Sequence, residues 1–300
     1  DGTANNDTDI SGDDYYRIYL DMTGKSEPID LLIVVDGSSS METSDMDGSM
    51  RRDDAITKFL NGSTSSVTKD GFISYFLGLN SQNNVAVVQF YGLVDDVEYT
   101  SDLVSKTDVD YTHDSEVLLD WTRTSGSFVD CECKTRSGTN YEAGLLRATE
   151  ALASESVRNN GHRKVMIFLS DGVPTLFQIN ANDIGTVVST GYVLDEDDVG
   201  KRWAKGVATT YSYCKDPSKR AFDDFQQSNP GVTVFTVGVS EDINAESEDN
   251  NQSPDVLKYM ADQGHGEFYG IESNMSELKL RLESIFYPKS VVMPDELSKY

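Results

Sequence analysis

The sequence predicts an α/β fold in which a doubly wound, mostly parallel sheet is flanked by helices. Three observations carry that expectation: short apolar runs recur along the chain, stretches of helical spacing lie between them, and the runs are nearly continuous rather than alternating. A sheet covered on both faces buries every residue of its central strands, so continuous Val, Ile, Leu and Phe is its mark.

Residues 29–35, 85–90, 165–169 and 232–239 are read on this ground as the four central strands. Residues 94–99 follow the second after a turn at Gly92 and are read as its hairpin partner at an edge; 266–271 are read as a short final strand. Between them, Tyr141, Leu145, Ala148 and Leu152 form an apolar stripe in a helix over 140–153. Val256, Leu257 and Met260 form another, opened by Ser253 and Pro254 at the N-cap and first turn. Met275, Leu278, Leu282, Ile285 and Phe286 form the last, with Asn274 and Glu277 as a capping pair and Pro288 as the stop. The first helical region, 51–79, is expected to break at 61–66, where Asn, Gly, Ser and Thr cluster.

Two stretches exceed the usual two-to-six-residue connections of α/β units: the segment from 95 to 136 beyond its initial strand, and 176–229. Both are expected to be insertions whose aromatics build small cores of their own: Trp121 and Phe128 in one, and Phe177, Tyr192, Trp203, Tyr211 and Tyr213 in the other. Tyr16, Ile18, Leu20 and Met22 alternate with polar neighbours as in a half-buried strand, and 290–293 is a second short candidate. The expected organisation is a flanking β-segment of a neighbouring domain over 1–27, a main domain over 28–287 with insertions at about 100–136 and 176–229, and a second flanking β-segment over 288–300. The chain begins at Asp1 without an export signal and is expected to be a processed or trimmed segment of something longer.

Of 300 residues, 25 are Lys or Arg and 51 are Asp or Glu, a formal net charge of −26. A nucleic-acid binder must present a basic face that releases counterions, so this balance argues against one, and equally against docking on an anionic membrane. Hydrophobic residues at 38% and aromatics at 10% supply a sizeable core, so the acidity does not imply disorder. The longest apolar runs, 31–35 and 165–169, fall far short of the ~20 residues that span a bilayer, which excludes helical membrane insertion.

Two central strands end in an acidic residue, Asp36 and Asp171. Ligands of open α/β sheets sit outside the carboxyl ends of strands, so two carboxylates delivered there are site candidates. Asp36 opens Asp36-Gly37-Ser38-Ser39-Ser40, with Ser38 and Ser40 at alternate positions, and Thr139 stands at the start of the 140–153 helix. Oxygen donors without His or Cys suit a hard cation such as Mg²⁺, held at about 2.0–2.1 Å in an octahedron that keeps waters. Two carboxylates neutralise such an ion while the hydroxyls add no charge, so it stays electrophilic toward an external Asp or Glu.

At these residues the chain resembles the von Willebrand factor A domain with its metal-ion-dependent adhesion site. The pattern Asp-x-Ser-x-Ser is met by Asp36, Ser38 and Ser40, the family threonine by Thr139 in Ser-Gly-Thr-Asn-Tyr-Glu-Ala, and the family aspartate by Asp171 in Ser-Asp-Gly-Val-Pro-Thr. The resemblance covers about 28–287 and implies a Rossmann-like doubly wound sheet, Mg²⁺ or Mn²⁺ at the site, and ligand-regulated movement of the last helix over 274–286. The flanking strands, the two insertions and residues 25–41 look most like the tip adhesins of Gram-positive pili, in which the A domain is inserted in a β-sandwich and carries two arms beside the metal. On that resemblance the chain is expected to be a cell-surface adhesin module binding a host or extracellular-matrix protein through a metal-bridged carboxylate. It is placed outside the cell, on the wall or pilus of a Gram-positive bacterium, with a pilus backbone subunit as a further partner in the full-length protein.

Each motif also has a plainer reading. Thr139 and Glu142 form a Thr-x-x-Glu capping box, the Asp36–Ser40 run is a strand-end turn, and Asp171-Gly172 is a turn; their joint occurrence at converging loops favours the metal site. Asp195, Glu196, Asp197 and Asp198, like Asp45 and Asp47, offer secondary oxygen donors for Ca²⁺, but neither run matches an EF-hand loop and both are read as solvated acidic loops. Cys131 and Cys133 are too close to bridge without strain, so a disulfide is expected between Cys214 and one of them, with Cys133 preferred and Cys131 the alternative. Closing so long a loop contributes on the order of 4 kcal/mol in the chain-entropy description, and the bridge implies an oxidising setting.

Two other function classes compete. A structural pilus or cell-wall module would use the metal only for stability. A serine hydrolase using Ser38 or Ser40 lacks the Gly-x-Ser-x-Gly elbow, and His113, His162 and His265 read as ordinary loop or strand-flanking histidines. The chain is therefore not expected to be an enzyme.

Overall fold

The computed structural model describes residues 27–46, 48–62, 71–90, 93–94, 105–112, 136–179, 191–196, 202–206, 212–240, 243, 254–272 and 275–286. Its central strand, β1 (Ile29–Asp36), is buried at all eight positions. Leu31, Ile33 and Val35 point into one apolar layer and Leu32 and Val34 into the other, which is why this run carries no polar alternation.

A one-turn 3-10 helix (Ser39–Glu42) follows, then a ribbon of β2 (Ser44–Met46) and β3 (Met50–Arg51), and helices α1 (Arg52–Asn61) and α2 (Phe72–Leu79). Next come β4 (Asn84–Phe90), β5 (Leu93–Val94), β6 (Ser105–Thr112), β7 (Arg136–Ser137), α3 (Tyr141–Leu152), α4 (Glu155–Arg158) and β8 (Arg163–Ser170). The described elements end with β9 (Leu176–Ile179), β10 (Gly191–Glu196), β11 (Arg202–Gly206), α5 (Ser212–Ser228), β12 (Thr233–Val239), α6 (Asp255–Gln263), β13 (His265–Ile271) and α7 (Met275–Phe286). Among the described residues, no helix is long and apolar enough to cross a membrane.

The main sheet has the order β13-β12-β8-β1-β4-β6. Its first five strands are parallel, and β6 runs antiparallel to β4 at the edge. One face is covered by α1, α2 and α7 through Ile56, Phe59, Phe72, Phe76, Leu278, Leu282 and Phe286. The other is covered by α3, α5 and α6 through Tyr141, Leu145, Phe222, Phe225, Val256 and Met260. This is the doubly wound sheet that the apolar runs predict. Winding goes from β1 to β4 on one side and then to β8 on the other, so the direction reverses beside β1.

The edge differs from expectation. Residues 95–99 lie outside the described residues, Leu93–Val94 pairs with Arg136–Ser137, and the antiparallel neighbour of β4 is Ser105–Thr112. That strand reads Ser-Lys-Thr-Asp-Val-Asp-Tyr-Thr, polar enough to escape an apolar-run search, as an edge strand tolerates. Within 176–229, β9, β10 and β11 form a separate three-stranded sheet, whereas Ser212–Ser228 is a helix of the main layer, with Phe222 and Phe225 in its core. The first helical region does break: α1 ends at Asn61, and Gly62 takes φ +83° where a side chain would be strained. The N-cap of α6 is Pro254, and the strand candidates over 16–23 and 290–293 lie outside the described residues.

At the amino end of β1, the Ile29 N–H donates to Asn83 Oδ1 at 2.9 Å, and Asn83 Nδ2 donates to the Phe76 carbonyl at 2.9 Å. Phe286 closes α7 with its ring edge-on to Phe76 at 5.1 Å. The chain thus enters β1 and leaves α7 at the same pole of the sheet. Asp30 is also buried there, accepting from Lys164 Nζ at 2.6 Å, Asn160 Nδ2 at 2.7 Å and Asn84 Nδ2 at 2.8 Å, with His162 Nδ1 at 3.0 Å. Burial opposes ionisation of Asp30, but these contacts outweigh it and lower its pKa.

Candidate functional site

The opposite pole collects the carboxyl ends of the parallel strands. Val35 of β1 is in register with Leu169 of β8, so Asp36 and Asp171 emerge side by side where the winding reverses. Both are buried, at 0% and 4% exposure, in a place where an ionised carboxylate needs compensation.

The loop after β1 is shaped by its own polar groups. The Ser38 N–H donates to Asp36 Oδ1 at 2.8 Å, closing an Asx-type turn. Gly37 donates its N–H to the Phe90 carbonyl at 2.7 Å, and a Cβ there would stand 2.7 Å from the Gln89 side chain. Met41, buried in the core, anchors the one-turn helix that follows, with its N–H donating to the Ser38 carbonyl at 3.0 Å. This leaves the Ser38 and Ser40 hydroxyls facing each other at 3.0 Å, Ser38 buried and Ser40 exposed at the rim.

Asp171 stands on the neighbouring loop. Ser170, the last residue of β8, donates its hydroxyl to Asp36 Oδ2 at 2.6 Å. Burial first, and then the charge of Asp171, push the Asp36 carboxyl up to about 7 against the hydrogen bonds from Ser170 and Ser38. Burial also raises the pKa of Asp171, opposed by Arg52 and by the Ser40 hydroxyl.

Thr139 joins through its backbone. Its N–H donates to Thr175 Oγ1 at 2.7 Å, and its carbonyl accepts from the N–H of Thr175 at 2.8 Å and of Leu176 at 3.2 Å. The loop before α3 is thereby clamped to the loop that carries Asp171. The expected capping box does not form around Thr139: Asn140 is the N-cap, its Oδ1 accepting from the Ala143 N–H at 3.1 Å. Tyr141, foreseen only as a core residue, sends its hydroxyl to the Gly172 carbonyl at 2.5 Å and pins the turn after Asp171.

The sequence reading missed Arg52. It is the first residue of α1, 5% exposed, and its Nη1 donates to Asp171 Oδ2 at 2.8 Å. Its Nε donates to Asp45 Oδ1 at 2.9 Å and its Nη2 to Asp45 Oδ2, with Nη2 also 3.3 Å from Ser240 Oγ at the end of β12. Asp45 is therefore no solvated loop acid. The only sequence signal was the run Arg51-Arg52-Asp53-Asp54 at a helix start, which reads equally as surface charge.

Once ionised, Asp36, Asp171 and Asp45 against Arg52 leave two negative charges unmatched in this group. Among the described residues, no three of His, Cys, Asp or Glu gather to hold a metal ion. The donor set here is instead two carboxylates with hydroxyls beside them, which fits one hard divalent cation. Cys131, Cys133, Asp47, Asp197 and Asp198 lie outside the described residues, whereas Cys214 is buried in α5.

Residues 31–173 match the family model for the von Willebrand factor type A domain. Among solved structures, it is similar to the PilB minor pilin from Streptococcus sanguinis, with TM-score 0.58 and 14% identity over 90% of this chain. The D319A mutant of that pilin aligns with TM-score 0.55 and 13% identity, also over 90% of this chain. The chain spans 64% of the first of these structures and 65% of the second, and at such identity the likeness is one of fold. A sequence search of curated proteins finds no match.

Proposed function

We propose that this von Willebrand factor type A domain is a cell-surface adhesion module that grips a carboxylate of a host or extracellular-matrix protein through Mg²⁺ or Mn²⁺. The observation that supports the reading is the pair of buried carboxylates, Asp36 and Asp171, brought from adjacent strands to one point with their charge unmatched. Asp36 and Asp171 supply the anionic donors, and Ser38, Ser40 and Thr139 supply neutral oxygens. When bound, the ion supplies a Lewis-acid position for an incoming carboxylate oxygen. The exposed Ser40 marks the side from which a partner approaches, and burial of Ser38 and both carboxylates excludes water from the other side.

The net charge of −26 favours approach by a basic partner, but that field decays over about 8 Å at physiological salt, so the final grip is local. An extracellular position on a Gram-positive cell wall or pilus, with a pilus backbone subunit as neighbour, belongs to the same proposal; so does a disulfide joining Cys214 to Cys133 or Cys131. Binding to a panel of matrix proteins is measured with and without EDTA, for the wild type, Asp36→Ala and Thr139→Ala. Loss of binding in EDTA and in both variants is the expected result; binding unchanged throughout refutes the metal-bridged contact. Intact mass after non-reducing alkylation tests the bridge, which three alkylated cysteines would exclude.

A further inference from the structure

A planar guanidinium has five N–H donors in a fixed fork, and a bidentate grip on one carboxylate uses one edge of it. Asp45 takes that edge of Arg52, at Nε and Nη2, and Asp171 receives Nη1 alone. Arg52 and Asp45 are both largely buried, with side chains 7% and 11% exposed. Burying such a pair is poorly repaid as stability alone. The ribbon that carries Asp45 is also minimal, three residues of β2 against two of β3, with Met46 as its buried anchor. Its visible effect is to hold one carboxylate over Arg52.

We propose that Asp45 and Arg52 set the affinity of the Asp36–Asp171 site for its divalent ion: Arg52 steadies one oxygen of Asp171, and Asp45 occupies the rest of the fork and cancels its charge. Both are positioning residues, acting on the ion through Asp171, and the inference rests on the metal reading above. Without Asp45, the full fork turns to Asp171 and competes with the cation for it. Ser240 adds a second acceptor on Nη2, beside Asp45, and ties the fork to the end of β12.

A double-mutant cycle read by titration calorimetry tests this, with Mg²⁺ injected into the metal-stripped wild type, Asp45→Asn, Arg52→Gln and the double variant. Circular dichroism verifies folding, and Arg52→Met is the replacement background if Arg52→Gln does not fold. Asp45→Asn is expected to weaken Mg²⁺ binding by about tenfold, and by less than about threefold once Arg52 is gone. A wild type that takes up no Mg²⁺ overturns the metal reading and this inference with it. If the wild type binds, an Asp45→Asn affinity equal to it, or the same weakening in both backgrounds, overturns the inference alone.

Discussion

Asp36→Asn should make the metal-free protein more stable while abolishing its response to metal. Asp36 is fully buried, and its carboxyl is raised from the ordinary 3.8 to about 7 by burial and by Asp171. A shift of that size corresponds to about 4 kcal/mol of destabilisation once the pH exceeds both values. The sign follows from the raised value: the penalty is absent below 3.8, grows as the pH climbs toward 7, and is complete above it. Asn keeps the local bonding, since its Oδ1 can accept from the Ser38 N–H and its Nδ2 can donate to Ser170 Oγ. The raised value already includes those two bonds, so Asn, standing in for the neutral acid, should gain about 4 kcal/mol at pH 8. Urea unfolding in EDTA at pH 8 and pH 5 measures it, and the gain should shrink at the lower pH. Mg²⁺ should then raise the midpoint of the wild type and leave that of Asp36→Asn unmoved. A variant no more stable than the wild type at pH 8 in EDTA, or a gain independent of pH, would refute the reasoning.

Thr139→Val keeps the shape and the backbone clamp to Thr175 and Leu176 but removes the hydroxyl; calorimetry should show Mg²⁺ affinity down by about tenfold with metal-free melting little changed. Gly138→Ala places a Cβ 2.8 Å from Leu176 Cδ1 in a residue at φ +92°. It should cost about 1–3 kcal/mol in denaturant unfolding. Asp30→Ala strips Lys164, Asn84 and Asn160 of a buried acceptor at the far pole, and should cost about 3–5 kcal/mol without altering Mg²⁺ affinity. Because the pKa of Asp30 is lowered, its contribution is present above the ordinary carboxylate range and is lost as the pH falls through its folded value. The difference from wild type should accordingly narrow in acid.

The central strands were legible because burial on both faces leaves no room for polar alternation, as β1 demonstrates residue by residue. Asp36 and Asp171 were legible for a related reason: a carboxylate ending such a run must lie at the sheet's carboxyl edge. The edge strand β6 was not, since a strand covered on one side needs no apolar run and its eight residues include only Val109 and Tyr111 as bulky apolar side chains. Arg52 escaped because its partner Asp171 is 119 residues away, and only tertiary packing separates it from the adjacent Arg51, whose side chain is 35% exposed. Thr139 was half legible. Its motif is ambiguous between ligand and cap until Asn140 is seen to do the capping.

The shared pole of Ile29 and Phe286 has a mechanical consequence. A force applied between the Asp36–Asp171 end and the two points where the chain enters and leaves runs lengthwise along β1. That strand is flanked by β4 and β8, both parallel to it and bonded along its length, so it is loaded in shear, with many backbone hydrogen bonds resisting together rather than opening one at a time. Helix α7 has no such ladder; side-chain packing through Leu278, Leu282 and Phe286 and a hydrogen bond from the Tyr75 hydroxyl to the Glu283 carbonyl at 3.3 Å hold it. Under tension it should therefore peel before the strand that bears Asp36, which force spectroscopy would show as an early partial extension.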